Sequence, residues 1–238
     1  QRLFERTLRS ICAQTSSCFQ VVVACHERPR IDFAHPAVHY VTVDHALPAD
    51  ERQPKRNDKH IKMRLALHHG EQFEASHTMV VDADDMVSNR LAEFVSGFPG
   101  APGWYLDNGY FYSERSGLLH YRRKGYYRWT GTSLIIARGI YPLPEHLHSA
   151  DLENEELMLQ TYYRPHSRAL KQLRKRGLRL EPLPFAGSMY AVEHGTNLGY
   201  VKETMYSRSA KWFNGKLWTP NRRRMSAEIR AEYGFYEL

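Results

Sequence analysis

Three aspartates follow a short apolar run in the sequence, and together they could bind a metal ion. Residues 78–81 are apolar or β-branched, which predicts a buried strand, and Asp82, Asp84 and Asp85 come directly after them. Carboxylates this close repel one another unless a divalent cation such as Mg²⁺ or Mn²⁺ neutralises them. Such an ion could also bind a diphosphate and stabilise the oxygen that departs when a bond breaks. The alternative is that Asp82 caps the next turn and the other two aspartates lie in a solvated loop.

The composition is that of a globular protein with an anionic partner. The 238 residues are 42% hydrophobic and 25% charged, and no apolar run approaches the ~20 residues of a membrane-spanning helix. A single domain over residues 1–238 is therefore expected. The net charge of +7 suggests a nucleotide, an acidic glycan, a membrane surface or a nucleic acid as partner. Three cysteines without metal-type spacing favour a reducing compartment, so a cytoplasmic location is expected.

Positive charge is concentrated in three runs of the sequence. These are residues 122–129, 171–179 and 221–224, and the first of them also contains aromatic residues. Each run is either a solvated face or a contact with a polyanion. No nucleic-acid-binding motif accompanies them, so nucleic acid is not expected as a partner.

Helix and strand patterns alternate ahead of the aspartates. Apolar residues at helical spacing predict a helix over residues 2–14, and apolar runs predict strands over 19–27 and 38–44. A second helix is expected to end at Gly70. This order predicts βαβ units and a mostly parallel central sheet flanked by helices. Ligands of such sheets bind beyond the carboxyl ends of the strands, where the aspartates are expected.

Aromatic, strand-like segments and further helices follow the aspartates. The strand-like segments cover residues 103–113, 117–129 and 130–139. A helical pattern over 151–177 is interrupted near Pro165 and stopped by Gly177.

The order of these parts resembles the family 2 glycosyltransferases. The resemblance is carried by the helix "RLFERTLRSICAQT", the strand "FQVVVAC", the helix ending "LALHHGE" and the segment "HTMVVDADDMVS". Within that family the chain looks most like the bacterial rhamnosyltransferases. The resemblance implies the glycosyltransferase-A fold, an α/β fold, with a nucleotide-sugar donor bound by residues 1–95. Residues 96–238 would bind a glycan or another hydroxyl acceptor, and the first strand of the fold is missing from this sequence.

The resemblance implies roles for residues of the donor half. Asp84 would bind the metal that bridges the donor diphosphate, and Asp82 would contact the ribose or the metal. Lys59 and Lys62 would contact the base or a phosphate, with a solvated helix face as the alternative. Glu27 would replace the base-binding acid of the family, because the strand before it leads to "ACHERP" rather than to a "DDGS"-like turn.

The resemblance also implies a general base in the acidic segment "DLENEELML". This segment is similar to the family's E-D-x-D-L-x-L pattern, but Asn154 stands where the family often has its catalytic aspartate. An amide cannot accept the proton of the acceptor hydroxyl. Glu153 or Glu155 is therefore the expected base, and exposed helix acids are the alternative.

A histidine is expected to complete the metal site. The segment "EHGTN" looks like the one in which related enzymes carry a metal-binding histidine, so His194 should place an imidazole nitrogen close to the Asp84 carboxylate. The alternative is a histidine that forms only structural hydrogen bonds. An imidazole ligand suits Mn²⁺ better than Mg²⁺. Trp129 and Gly131 would lie on the acceptor side of the site. Four aromatic residues would either stack on a sugar there or lie in the core or an interface: Trp104, Tyr126, Tyr127 and Trp129.

The expected function is metal-dependent, inverting transfer of a sugar, such as rhamnose, from a nucleotide-sugar to a hydroxyl acceptor. It would serve polysaccharide or glycoconjugate synthesis, with peripheral contact to a membrane surface as a further expectation. One alternative is an inactive glycosyltransferase-like module that binds an anionic glycan. The other, less favoured, is a haloacid-dehalogenase-like phosphatase. Its aspartate motif usually lies near the N-terminus and continues with Gly-Thr-like residues, which "DADDMVS" lacks.

Overall fold

Helices and strands alternate through the described part of the chain. The structure is a computed structural model that describes residues 1–44, 47, 49, 51–140, 166–195 and 222–237. The helices are α1 (Arg2–Cys12), α2 (Arg52–Gly70), α3 (Leu91–Ser96), α4 (His166–Lys175) and α5 (Ala227–Glu232). The strands are β1 (Val21–Cys25), β2 (Val38–Thr42), β3 (His77–Met79), β4 (Met86–Val87), β5 (Gly103–Tyr105), β6 (Gly109–Ser113), β7 (Leu119–Arg122), β8 (Leu134–Ala137), β9 (Glu181–Pro182), β10 (Ser188–Val192) and β11 (Arg222–Arg223).

The elements expected ahead of the aspartates are present. α1, β1 and β2 fall within their predicted segments, and α2 ends at Gly70 as predicted. Gly177 follows α4 with a φ of 80°, the left-handed conformation that stops a helix most readily at glycine. None of the described helices is long and apolar enough to cross a bilayer.

The sheets are mixed, which corrects the expectation of one mostly parallel sheet. β1 and β2 form a parallel pair, while the other strands form sheets in the orders β3-β8-β5-β9 and β11-β7-β6-β10-β4. Among the described strands, five of eight pairings are antiparallel. The physical reason is the length of the connections: β6 and β7 are joined by a short turn, and only antiparallel neighbours can be joined in this way. The fold class is α/β with mixed sheets.

The strand ahead of the aspartates is shorter and less buried than expected. β3 pairs only with β8, at the edge of its sheet, and its three residues are half-buried. Val80 and Val81 continue beyond the ladder and pack into two different core clusters. An edge strand has one unpaired side, so the apolar run does not become the fully buried strand that its composition predicts.

α1 is attached to β4, the strand that follows the aspartates. The hydroxyl of Ser10 accepts a hydrogen bond from Val87 N at 3.0 Å and donates one to Val87 O at 3.1 Å. The buried guanidinium of Arg6 pairs with Glu114 and lies over the rings of Tyr112 and Phe235. These hydrogen bonds and this ion pair fix the helix against the sheet through buried polar groups.

We predict that Gly103 is required for the pairing of β5 with β8. Its φ is 126°, and a side-chain Cβ there would lie 2.2 Å from the carbonyl oxygen of Ile135. Gly117 is the matched control, since its φ is also positive at 66° but a Cβ there would meet nothing within 4 Å. Gly117→Ala should cost about 1–2 kcal/mol in the free energy of unfolding from backbone strain. Gly103→Ala should cost distinctly more in urea unfolding, and equal losses would contradict the steric argument.

Candidate functional site

The three aspartates lie on one tight turn but in three different environments. The amide of Asp85 donates to the carbonyl of Asp82 at 3.0 Å, which closes the turn between β3 and β4. The side chain of Asp82 is 18% exposed and that of Asp84 is 26% exposed, whereas Asp85 is completely buried. The residues therefore do not form one cluster of equivalent ligands.

Asp85 connects the turn to two other segments of the core. Its carboxylate accepts a hydrogen bond from Thr130 Oγ1 at 2.9 Å and one from the amide of Ala191, in β10, at 3.3 Å. Burial raises the pKa of Asp85 well above its ordinary value, and the charges of Asp82 and Asp84 raise it further. Hydrogen bonds from threonines act in the opposite direction. Asp85 is thus a structural residue, and the alternative of a solvated loop residue is wrong for it.

Asp82 is paired with a lysine from α2. Lys59 Nζ lies 2.5 Å from Asp82 Oδ1, and the backbone amide of Asp82 donates to Thr132 Oγ1 at 2.9 Å. Burial by itself would lower the pKa of Lys59, but Asp82 and then the other two aspartates outweigh it, so the pKa is raised. A Cβ on Gly131 would lie only 2.9 Å from the Asp82 carboxylate, so glycine is what allows the two segments to approach.

Asp84 lies against a histidine from a distant part of the chain. His194 Nε2 is 2.9 Å from Asp84 Oδ2, and the histidine side chain is only 4% exposed. His194 follows the end of β10, where Glu193 has a φ of 65° and turns the chain toward the aspartates. The expected approach of the imidazole to the Asp84 carboxylate is confirmed, while binding of a metal by the pair stays a prediction.

The other expected donor-side residues do not all join this group. Lys62 Nζ donates to Asp58 Oδ2 at 2.8 Å, one turn earlier on α2, and His26 Nε2 lies 3.6 Å from the second oxygen of Asp58. Glu27 is exposed beyond the end of β1. Sequence reasoning missed Asp58 and His26. The spacing of Asp58 and Lys62 by four residues on a helix was a usable signal for their pairing.

The residues expected near the acceptor also differ in how deeply they are buried. Trp104 and Tyr126 are core residues, since their exposures are 6% and 0%. Trp129 is half-buried and precedes the Thr130–Thr132 segment that contacts Asp82 and Asp85. Glu153 and Glu155 lie outside the described residues.

Two threonines that sequence reasoning passed over hold the site together. Thr130 and Thr132 are fully or almost fully buried and contact the aspartate turn through their hydroxyl groups. The signal was the short polar stretch "TGTS" between Trp129 and the apolar strand β8, because buried hydroxyls need partners and the aspartate turn supplies them.

Asp84 and His194 could together hold one divalent cation. In the described ranges, no group of three or more His, Cys, Asp or Glu side chains has a metal-binding arrangement. Mg²⁺ is commonly bound by only one or two protein ligands, and water and substrate phosphates complete its coordination shell. A carboxylate beside an imidazole, with a further carboxylate held by Lys59, fits such an open site.

We predict that the raised pKa of Asp85 makes stability depend on pH. A carboxyl group whose pKa is raised by folding holds its proton more tightly in the folded state, so the free energy of unfolding falls as pH rises from the ordinary pKa to the raised one. Asp85→Asn cannot ionise and should lose less stability over that interval. A tenfold difference in proton affinity between the folded and unfolded states corresponds to about 1.4 kcal/mol in the free energy of unfolding.

The measurement is urea unfolding between about pH 4 and pH 8 with a chelator present. The exposed residue Asp32 gives the control Asp32→Asn, whose profile should parallel that of the parent protein. Parallel profiles for the parent and Asp85→Asn would contradict the assignment of a raised pKa to Asp85.

Four segments that are distant in the sequence meet at the end of β3. They are α2 through Lys59, the turn that carries the aspartates, the Thr130–Thr132 segment, and the residues after β10. Comparisons with protein-family models, with curated proteins and with solved structures find no match to the chain. A function for the protein is therefore inferred from the residues and geometry of this site.

Proposed function

We propose that the protein is a metal-dependent, inverting glycosyltransferase with a glycosyltransferase-A fold. It moves a sugar, with rhamnose as the candidate, from a nucleotide-sugar donor to a hydroxyl acceptor in polysaccharide or glycoconjugate synthesis. The observation that carries the proposal is the approach of His194 Nε2 to within 2.9 Å of Asp84 Oδ2, immediately beside the Lys59–Asp82 pair. A carboxylate, an imidazole and a lysine at a strand end suit an ion and a diphosphate together.

The residues present fit a divalent cation. Asp84 would supply one carboxylate oxygen and His194 one imidazole nitrogen, a donor set that suits Mn²⁺. Half-buried Asp84 leaves that side of the pair accessible to a ligand. When bound, the ion supplies positive charge that stabilises the diphosphate leaving group.

Lys59 gives the site a second positive charge that can change partners. Its side chain is 41% exposed and its ammonium group is bound to Asp82. Since an ammonium group can also pair with a phosphate oxygen, Lys59 would turn from Asp82 to the donor diphosphate, and Asp82 would then be free to contact the ribose. Thr130 and Thr132 hold the turn in place during this exchange through Asp85 and the amide of Asp82.

We predict that donor binding depends on Asp84 and His194. In the parent protein, a matching donor at a hundredfold excess over its Kd adds about 2.7 kcal/mol of apparent stability, which is a rise of several degrees in Tm. Asp84→Asn and His194→Gln should each lose most of that rise, because they remove metal ligands. The measurement is thermal unfolding with UDP-, GDP- or dTDP-sugars and Mn²⁺ or Mg²⁺.

The control for this experiment is Asp32→Asn, which removes an exposed carboxylate elsewhere on the chain. His194→Gln should weaken the Mn²⁺-dependent rise more than the Mg²⁺-dependent one, since nitrogen ligands favour the softer ion. Undiminished stabilisation of both variants by donor and Mn²⁺ would refute the metal site.

We predict that Glu153 or Glu155 is the general base. Glu153→Gln or Glu155→Gln should slow sugar transfer by about 10²–10⁴-fold, with little effect on stabilisation by the donor, because a general base acts on the acceptor proton. The readout is release of the nucleoside diphosphate from the stabilising donor in the presence of a hydroxyl acceptor. Parent rates in both variants would place the base elsewhere, and donor binding without any transfer by the parent protein would favour an inactive binding module.

A further inference from the structure

The loop after β7 collects positive charge at one turn. Residues 122–128 contain four cationic side chains and no acidic one. Gly125 reverses the chain with a φ of 69°, a left-handed conformation that glycine adopts without strain. Its amide donates to Asp107 Oδ1 at 2.8 Å, which fixes the turn to the connection between β5 and β6. The fold therefore holds this turn in a defined conformation.

Two arginines of this loop converge on the same small space. Arg122 Nη2 and Arg128 Nε lie 3.8 Å and 4.0 Å from the point where a side chain of Gly125 would begin. Each guanidinium also lies over an aromatic ring: Arg122 is 5.2 Å from the centre of Trp129, and Arg128 is 5.5 Å from that of Tyr127. Stacking on these rings holds the two like charges close together.

Arg122 forms no direct ion pair with a carboxylate in the described part of the chain. Its Nε is buried without a hydrogen-bond partner among the described residues. Burial lowers the pKa of Arg122, and the neighbouring charge of Arg128 lowers it further, with partial opposition from Asp107. Because the charges of Arg122 and Arg128 repel each other, an anion bound between the two guanidinium groups would offset that repulsion.

The surface beside the loop is also positive. α4 packs against the turn Tyr126–Arg128 and exposes Lys171, Arg174 and Lys175, while its buried residues contribute to the core. The sequence of α4 contains no acidic residue. These charges raise the local concentration of anions around the loop.

We propose that the loop of residues 122–128 is a binding site for a phosphate group, as carried by a phosphate ester or a diphosphate, with Arg122 and Arg128 as its ligands. Planar guanidinium groups match phosphate oxygens through paired hydrogen bonds. Phosphate is favoured over nucleic-acid bases as the ligand, because an arginine already lies over one face of Trp129 and one face of Tyr127. The site stands whether or not the protein transfers a sugar.

The test is titration of the full chain with inorganic phosphate by isothermal calorimetry, at constant ionic strength set with chloride. Arg122→Gln and Arg128→Gln should each weaken phosphate binding by about tenfold or more, since each removes charge-assisted hydrogen bonds. The matched control is Arg123→Gln, which removes the same charge from an exposed residue of the same loop and should weaken binding much less. Thermal unfolding of each variant checks that the fold is intact, and Arg128→Gln serves as the test if Arg122→Gln does not fold.

Two further arms identify the source of the phosphate. Vesicles of phosphatidylcholine with or without phosphatidylglycerol are sedimented with the parent protein and with the variants. The ligand is a lipid headgroup if the parent protein sediments with the anionic vesicles, if Arg122→Gln reduces this sedimentation, and if added phosphate reverses it. The ligand is a soluble phosphorylated molecule if phosphate binding depends on Arg122 but the protein does not sediment with the vesicles. The proposal is overturned if the parent protein does not bind phosphate, or if Arg123→Gln weakens binding as much as Arg122→Gln.

Discussion

Burial of the Asp85 carboxylate is the constraint on which the arrangement of the site depends. A carboxylate removed from water must have hydrogen-bond donors, and the chain supplies them from Thr130 and from the backbone of β10. These two contacts bring three separate segments to one place. Once they meet, Gly131 must lie against Asp82, and the chain leaving β10 must pass beside Asp84. The exposed part of the site is thus built around a residue that ligands cannot reach.

The turn keeps three carboxylates together by balancing each in a different way. Asp82 has the ammonium group of Lys59, Asp84 has the imidazole of His194, and Asp85 has hydrogen bonds and a raised pKa. The side chains of Lys59 and Asp84 are 41% and 26% exposed, so each of the first two pairs has one member that solvent can reach. Asp85 is completely buried. Accessible and fully buried carboxylates therefore lie side by side on one turn.

The mixed sheets explain how distant segments reach the aspartates. β4 pairs antiparallel with β10, so the end of β10 is carried back toward the start of β4, where the aspartate turn lies. β3 pairs antiparallel with β8, which places the segment before β8 beside the segment after β3. The same pairing that contradicts the parallel expectation is what brings Thr132 and His194 to the site.

The local features of the protein can be predicted from its amino-acid sequence. The helical spacing in α1, the end of α2 at Gly70, the stop at Gly177 and the position of the aspartates after an apolar run all depend on nearby residues, whose preferences are local. The approach of His194 to Asp84 was also predicted, from a resemblance of motifs rather than from spacing.

The partner of each charged residue depends on the three-dimensional fold. Burial of Asp85, the pairing of Lys59 with Asp82 rather than with a neighbour on α2, and the meeting of Arg122 with Arg128 depend on how strands pair and where turns reverse. Strand direction is set by connections and long-range packing, which a pattern of apolar residues in one segment does not contain. The sequence therefore specified the chemical groups of the site, and the fold specified their contacts.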